Sequence, residues 1–175
     1  AYQNIRRDGI IALKIQDDDD LIGAAITDGQ QDISLLTRSG LAMRFNEGEV
    51  RRMGRVSTGV KGISLRPGDE VVDMAVLSED STLLTICENG YGKRTNQTEY
   101  PCKHRGGKGV IDIKTTERNG DVVACKEVQS EEEIMIMTQN GIMIRLPVEG
   151  LSTIGRNTLG VRVINLGEGD RVIDM

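Results

Sequence analysis

Four glycines, Gly9, Gly59, Gly109 and Gly160, each open a similar apolar stretch, so the chain repeats in steps of 50, 50 and 51 residues. The stretches read Gly-Ile-Ile-Ala-Leu-Lys-Ile (9–15), Gly-Val-Lys-Gly-Ile-Ser-Leu (59–65), Gly-Val-Ile-Asp-Ile-Lys-Thr (109–115) and Gly-Val-Arg-Val-Ile-Asn-Leu (160–166). A second marker keeps the same step: Arg-Ser-Gly-Leu-Ala-Met-Arg (38–44), Glu-Asn-Gly-Tyr-Gly-Lys-Arg (88–94) and Gln-Asn-Gly-Ile-Met-Ile-Arg (139–145). Two markers on one period mean one supersecondary unit used repeatedly. Any surface that one unit presents is therefore presented again along the array.

One unit spans 21–70 and holds four short runs, at 21–27, 32–37, 41–45 and 59–65, closed by Pro-Gly-Asp at 67–69. The second unit, 71–121, repeats them at 71–77, 82–87, 91–95 and 109–115. The third, 122–170, does so at 122–128, 134–138, 142–146 and 160–166. Asn89-Gly90 and Asn140-Gly141 lie between strand-like runs, a strong hairpin signal because such turns call for positive φ. Met135, Met137, Met143 and Arg145 fall at period two around one of these turns, as strands with one buried face require. The runs are too short and too β-branched for helices, and four short strands per unit is the pattern of propeller blades. The expectation is an all-β array over 1–175, with fragment 1–20 ending an earlier blade and 171–175 starting the next. A chain that begins within a repeat is expected to be a piece of a longer protein.

Trp is absent and Phe occurs once. That leaves the core to Ile, Val, Leu and Met, and argues against WD40 or kelch blades, which depend on aromatic signatures. No apolar run reaches membrane-span length and no signal-peptide pattern opens the sequence. Three cysteines without Cys-x-x-Cys spacing suit reduced thiols in a cytoplasm. The net charge of −5 weighs against a nucleic-acid binder, but the distribution of charge matters more than its sum.

Asn89-Gly90-Tyr91-Gly92-Lys93-Arg94-Thr95, followed by Glu99-Tyr100-Pro101, closely resembles the C-terminal domain of the DNA gyrase A protein. So do Val50-Arg51-Arg52-Met53-Gly54, Thr58-Gly59-Val60-Lys61-Gly62-Ile63, Thr116-Glu117-Arg118-Asn119-Gly120 and Gly155-Arg156-Asn157-Thr158 with Gly160-Val161. The resemblance covers essentially the whole chain. It implies a β-pinwheel of four-stranded blades that exchange strands with their neighbours, and a basic rim that bends and wraps double-stranded DNA. In the whole enzyme such wrapping supports ATP-dependent negative supercoiling. By the same resemblance, the catalytic tyrosine, ATP and magnesium belong elsewhere in the gyrase A and B subunits. No cofactor and no catalytic residue are expected here, Tyr2, Tyr91 and Tyr100 included, and the expected location is the cytoplasm of a bacterium, with the chromosome. The family's wrapping motif, Gln-Arg-Arg-Gly-Gly-Lys-Gly, is matched by Lys103-His104-Arg105-Gly106-Gly107-Lys108-Gly109 only in its last five positions. The full motif is expected upstream, in the first blade. The array of topoisomerase IV is the near alternative.

The loop before each repeat glycine is basic: Arg6 and Arg7; Arg51, Arg52 and Arg55, with Lys61 beyond; Lys103, Arg105 and Lys108; then Arg156, with Arg162 beyond. At one place in every blade these charges would line a rim and neutralise phosphates regardless of base sequence. A single such cluster would read as solvated surface, and it is the shared register that points to DNA. Arg44, Arg94 and Arg145 also recur, on strands, and read equally as partners inside the blade or as rim contacts. The acidic runs 17–20 and 131–133 should face solvent, and 17–20 lacks the spaced ligands of a calcium loop. His104 with Cys102 offers two ligands where structural zinc takes four. The rival from another class is a propeller-type protein-interaction scaffold, which the acidic net charge favours.

Overall fold

A hairpin of this repeat cannot bury its apolar residues alone, and the fold solves this by lending strands between units. The computed structural model describes residues 7–175. Among them run β1 (Asp32–Thr37), β2 (Leu41–Asn46), β3 (Val71–Leu77), β4 (Thr82–Cys87), β5 (Tyr91–Asn96) and β6 (Val110–Ile111). They are followed by β7 (Val122–Val128), β8 (Glu133–Thr138), β9 (Met143–Pro147), β10 (Val161–Arg162) and β11 (Val172–Asp174). Three sheets result, with strand orders β3-β1-β2-β6, β10-β5-β4-β7 and β11-β8-β9, and every pair is antiparallel.

Each of the first two sheets is thus the hairpin of one unit flanked by the first and fourth strands of the next unit. The residues of a sheet are therefore not those of a sequence unit. The segment 171–175, expected to start a following blade, pairs as β3 and β7 do with the hairpin of the unit before it, supplying β11 to the third sheet through Val172 opposite Thr138. The strands expected at 9–15, 21–27 and 59–65 form no ladder. Their counterparts pair with the hairpin one unit earlier, and no such hairpin lies among the described residues. A strand without a partner leaves its backbone groups to water. The expected strands 109–115 and 160–166 shorten to Val110–Ile111 and Val161–Arg162, because only that much runs beside β2 and β5.

The hairpin turns close as i to i+3 bonds, Gly40 N to Thr37 O at 2.9 Å, Gly90 N to Cys87 O at 3.1 Å and Gly141 N to Thr138 O at 3.0 Å. Positive φ falls on the glycine only, 76° at Gly90 and 80° at Gly141, and not on the preceding asparagine. These are three-residue loops with one left-handed position rather than two-residue primed turns. Asn89 uses its side chain elsewhere, donating to the carbonyls of Glu117 at 3.0 Å and Arg118 at 3.3 Å.

The repeat glycine has a demanding place. Gly109 and Gly160 have φ of 72° and 74°, and a Cβ there would lie 2.6 Å from Ala42 O and 2.7 Å from Gly92 O. Glycine permits both the left-handed backbone and the close approach to the neighbouring hairpin.

The core lies between successive sheets. Leu36, Ala42, Ala75 and Leu77 of the first sheet meet Leu83 and Cys125 of the second, with Tyr100 among them. Leu84, Ile86 and Val128 of the second meet Ile134, Ile136 and Val172 of the third. Each fully enclosed Leu or Ile contributes roughly 1.5–3 kcal/mol. In β8 the period-two pattern holds with Ile134, Ile136 and Thr138 inside, while Met135 on the other face is 49% exposed.

Candidate nucleic-acid interface

The loop before the repeat glycine is tied along the open side of the preceding hairpin. Lys103 N donates to Arg44 O at 2.9 Å, and Ile154 N donates to Arg94 O at 2.8 Å. Parallel bridges join Arg44 to Cys102 and Arg94 to Thr153. The chain then reverses at the glycine and re-enters the same edge as β6 or β10. This route places the 103–108 segment beside β2 and the 153–162 segment beside β5, on the outermost edge of each sheet.

Glutamates and arginines fix these loops in register. Glu49 accepts the backbone N–H of Arg105 at 3.0 Å, and Glu99 accepts that of Arg156 at 3.0 Å. The guanidinium of Arg105 donates to Glu49 O at 3.3 Å and Lys61 O at 3.0 Å. Arg156 donates to Ile111 O at 2.9 Å, and Arg55 to Ile11 O at 3.2 Å. The acceptors Ile11, Lys61 and Ile111 all stand two residues beyond a repeat glycine. One contact therefore recurs in every unit, and the arginines read from sequence as charge donors are also clamps. Their guanidiniums retain unused N–H donors for an incoming anion.

Arg105 and Arg156 are half-buried, while Lys61, Lys103, Lys108 and Arg162 are exposed. Lys61 is brought to the 103–108 loop through Gly106 N to Gly62 O at 2.5 Å. Arg51, Arg52 and Arg55 are exposed on a loop that has no hairpin edge to lie along. Arg7 is exposed in the 9–15 approach, and Arg6 lies outside the described residues. Arg162 Nη2 donates to the Tyr91 hydroxyl at 2.6 Å.

The two readings of the strand arginines separate. Arg44 is inside the blade, donating to Asp32 Oδ2 at 2.8 Å and to Gln97 O at 2.7 Å. Arg94 is buried, on Thr153 Oγ1 at 3.1 Å and Ser130 Oγ at 3.3 Å. Arg145 is an exposed ion pair with Glu133. The acidic runs 17–20 and 131–133 are exposed. His104 Nδ1 lies 3.1 Å from Glu49 Oε1, which makes it a loop contact. Among the described residues no group of three or more His, Cys, Asp or Glu is placed to hold a metal, and no helix is long and apolar enough to cross a membrane.

Sequence reading missed the surroundings of Tyr91. Arg118 Cζ stands 4.8 Å and Arg162 Cζ 4.7 Å from its ring centroid. Arg118 beside the hydroxyl, with the Arg162 charge, holds the phenol below its usual range despite burial. No periodic signal could have found it, because Arg118 sits in the one connection, 116–121, that runs a residue longer than its counterparts.

Known proteins share this sequence pattern and this fold. The family model described as DNA gyrase C-terminal domain, beta-propeller, matches residues 1–28, 31–78, 81–129 and 132–175. The DNA gyrase A protein of Haloquadratum walsbyi is 48% identical over 98% of this chain, and that of Escherichia coli 44% over 99%. In each case the match spans 20% of the relative's length. Among solved structures, a DNA topoisomerase IV C-terminal domain superposes with TM-score 0.92 at 26% identity, over 99% of this chain and 55% of the other. A DNA gyrase A C-terminal domain gives 0.87 at 30%, over 95% and 57%. The chain belongs to the DNA gyrase C-terminal domain, beta-propeller family.

Proposed function

We propose that this chain binds double-stranded DNA along the outer edges of its sheets and wraps it, as a non-catalytic module of a gyrase-type topoisomerase. The supporting observation is the recurrence of one basic loop on two successive sheet edges: Lys103, Arg105 and Lys108 beside β2, and Arg156 and Arg162 beside β5. Each phosphate neutralised releases counterions without reading a base, so affinity is general and salt-dependent. Bending a 20–30 base-pair site costs on the order of 1–6 kcal/mol, which many small contacts along a curved edge can offset. In this role the protein partners are the remaining parts of the gyrase A and B subunits. Strand cleavage, ATP and magnesium belong to those parts, and the module works in the cytoplasm beside the chromosome.

The test is binding of a random-sequence duplex by the intact chain at increasing salt. K103Q/K108Q should flatten the slope of log affinity against log salt by about 1.8, at about 0.9 per phosphate contact. Binding with an unchanged slope removes the loops from the interface. No binding at low salt favours a protein-interaction scaffold instead.

A further inference from the structure

Arg118, outside the basic loops, meets Arg162 of the β5 edge at the ring of Tyr91. Both guanidinium carbons lie within 4.8 Å of one ring centroid. Among the described residues neither arginine makes an ion pair with a carboxylate, whereas Arg38, Arg44, Lys93, Lys126 and Arg145 all do. Two like charges held at one ring repel each other, and an anion joining them would relieve that repulsion. The ring helps to hold them, since a cation over a phenol face is attracted by the negative face of the ring.

The geometry is prearranged. Arg162 is on β10, directly opposite Tyr91 of β5. Arg118 is on a loop fixed from inside: buried Asn119 donates to Lys114 O at 2.8 Å and Leu159 O at 3.2 Å, and accepts Thr116 N at 2.8 Å. Asn89 donates to the carbonyls of Glu117 and Arg118, which belong to the two peptide groups flanking the Arg118 Cα. The Tyr91 ring is 6% exposed, so it is a fixed platform. Its hydroxyl accepts from Arg162 and keeps its own proton free to donate. Tyr91 begins β5, three residues before Arg94, where the loop that leads to Arg156 is bridged. The three-residue separation is about 10 Å at the usual strand rise.

We propose that Tyr91, Arg118 and Arg162 form a phosphate-binding site for the DNA backbone, in which Arg118 and Tyr91, both outside the basic loops, join Arg162 at this one sheet edge. The two guanidiniums and the phenol hydroxyl supply converging charge-assisted donors to one phosphate group. The assignment rests on the DNA-binding reading, and adds to it a contact that the repeat does not generate.

Fluorescence anisotropy of a labelled random-sequence duplex, titrated with the intact chain at several sodium chloride concentrations, tests this. R118Q and R162Q should each flatten the salt slope, and the double variant by about 0.9 in all, since a single phosphate is neutralised. K126Q, at a cation already paired with Asp73, should leave the slope unchanged. R118K should keep the wild-type slope while weakening affinity, and Y91F should weaken affinity at a constant slope. A wild-type slope in R118Q, with K103Q/K108Q still flattening it, overturns this site alone. Wild-type chain that binds no duplex at low salt overturns the DNA-binding reading, and the site with it.

Discussion

Lys93 Nζ lies 3.3 Å from Asp112 Oδ1 with both side chains fully enclosed, one from the hairpin of the second sheet and the other just beyond β6 of the first. The ammonium also donates to Asp112 O at 2.7 Å and Gly155 O at 3.1 Å. Tyr100 and Thr85 hydroxyls donate to the two Asp112 oxygens at 2.5 and 2.8 Å. Burial beside Asp112 pushes the Tyr100 phenol far up, so it stays a donor. Burial also draws the Lys93 ammonium down, against the pull of Asp112. One repeat step away the counterparts of Lys93 and Asp112 are Met43 and Gly62, and the next are Ile144 and Val163. The network therefore replaces apolar packing at one junction, and through Gly155 it reaches the loop that carries Arg156.

Removing one partner strands a buried charge. K93M should destabilise by about 3–5 kcal/mol in urea unfolding. Adding D112N removes the stranded charge while leaving an acceptor for Tyr100 and Thr85. The double variant should therefore be more stable than the sum of the singles by about 1 kcal/mol or more. Additive losses would mean that the two residues do not act as a pair.

Arg105 carries both a charge and a clamp on Lys61 O and Glu49 O. R105K keeps the charge but loses the fork, so stability should fall by about 1 kcal/mol while the salt slope of duplex binding stays. R105Q should lower both. Equal salt slopes for R105Q and wild type would leave Arg105 a clamp only.

Asp69 closes the first hairpin turn by accepting Ser39 Oγ at 2.6 Å and Ser39 N at 3.0 Å. Burial raises its carboxyl, but those bonds outweigh it and the net pKa falls below 3.8. A depressed folded pKa stabilises above the unfolded value and is lost as pH falls through the folded one. The stability gap between wild type and D69N should be full at about pH 6 and shrink steadily below about pH 4. Urea unfolding across that range measures it, and a gap that is constant to acid pH contradicts the assignment.

Cys87 and Cys125 are enclosed in the core and Cys102 is exposed. Burial, with Asp112 nearby, pushes the Cys87 thiol up to about 12 and raises Cys125 well above its ordinary value. Maleimide treatment of the native chain should modify Cys102 alone, with the other two reacting only after unfolding. Native labelling of Cys87 or Cys125, read by mass spectrometry, would show that the core opens.

Much of this was legible because a repeat writes local rules several times over. Gly109 and Gly160 mark the close approach to a neighbouring hairpin, and the turns at Gly40, Gly90 and Gly141 fall where the runs break. Arg44 and Arg94 were not legible: an arginine on a strand has the same spelling whether it faces Asp32 or a solvent rim. Nor was the double duty of Arg55, Arg105 and Arg156, whose carbonyl partners lie 44 or 45 residues earlier.

The sequence alone determined the unit, its turns, its apolar strands and the recurrence of a basic loop, because period, glycine placement and charge are properties of neighbours along the chain. Only the tertiary structure decided which strands share a sheet. A backbone ladder takes whatever edge comes alongside, and here β6 and β10 reach back to a hairpin of the preceding unit. That exchange carries the basic loops to the sheet edges, and it brings Tyr91, Arg118 and Arg162 together from places the period does not relate.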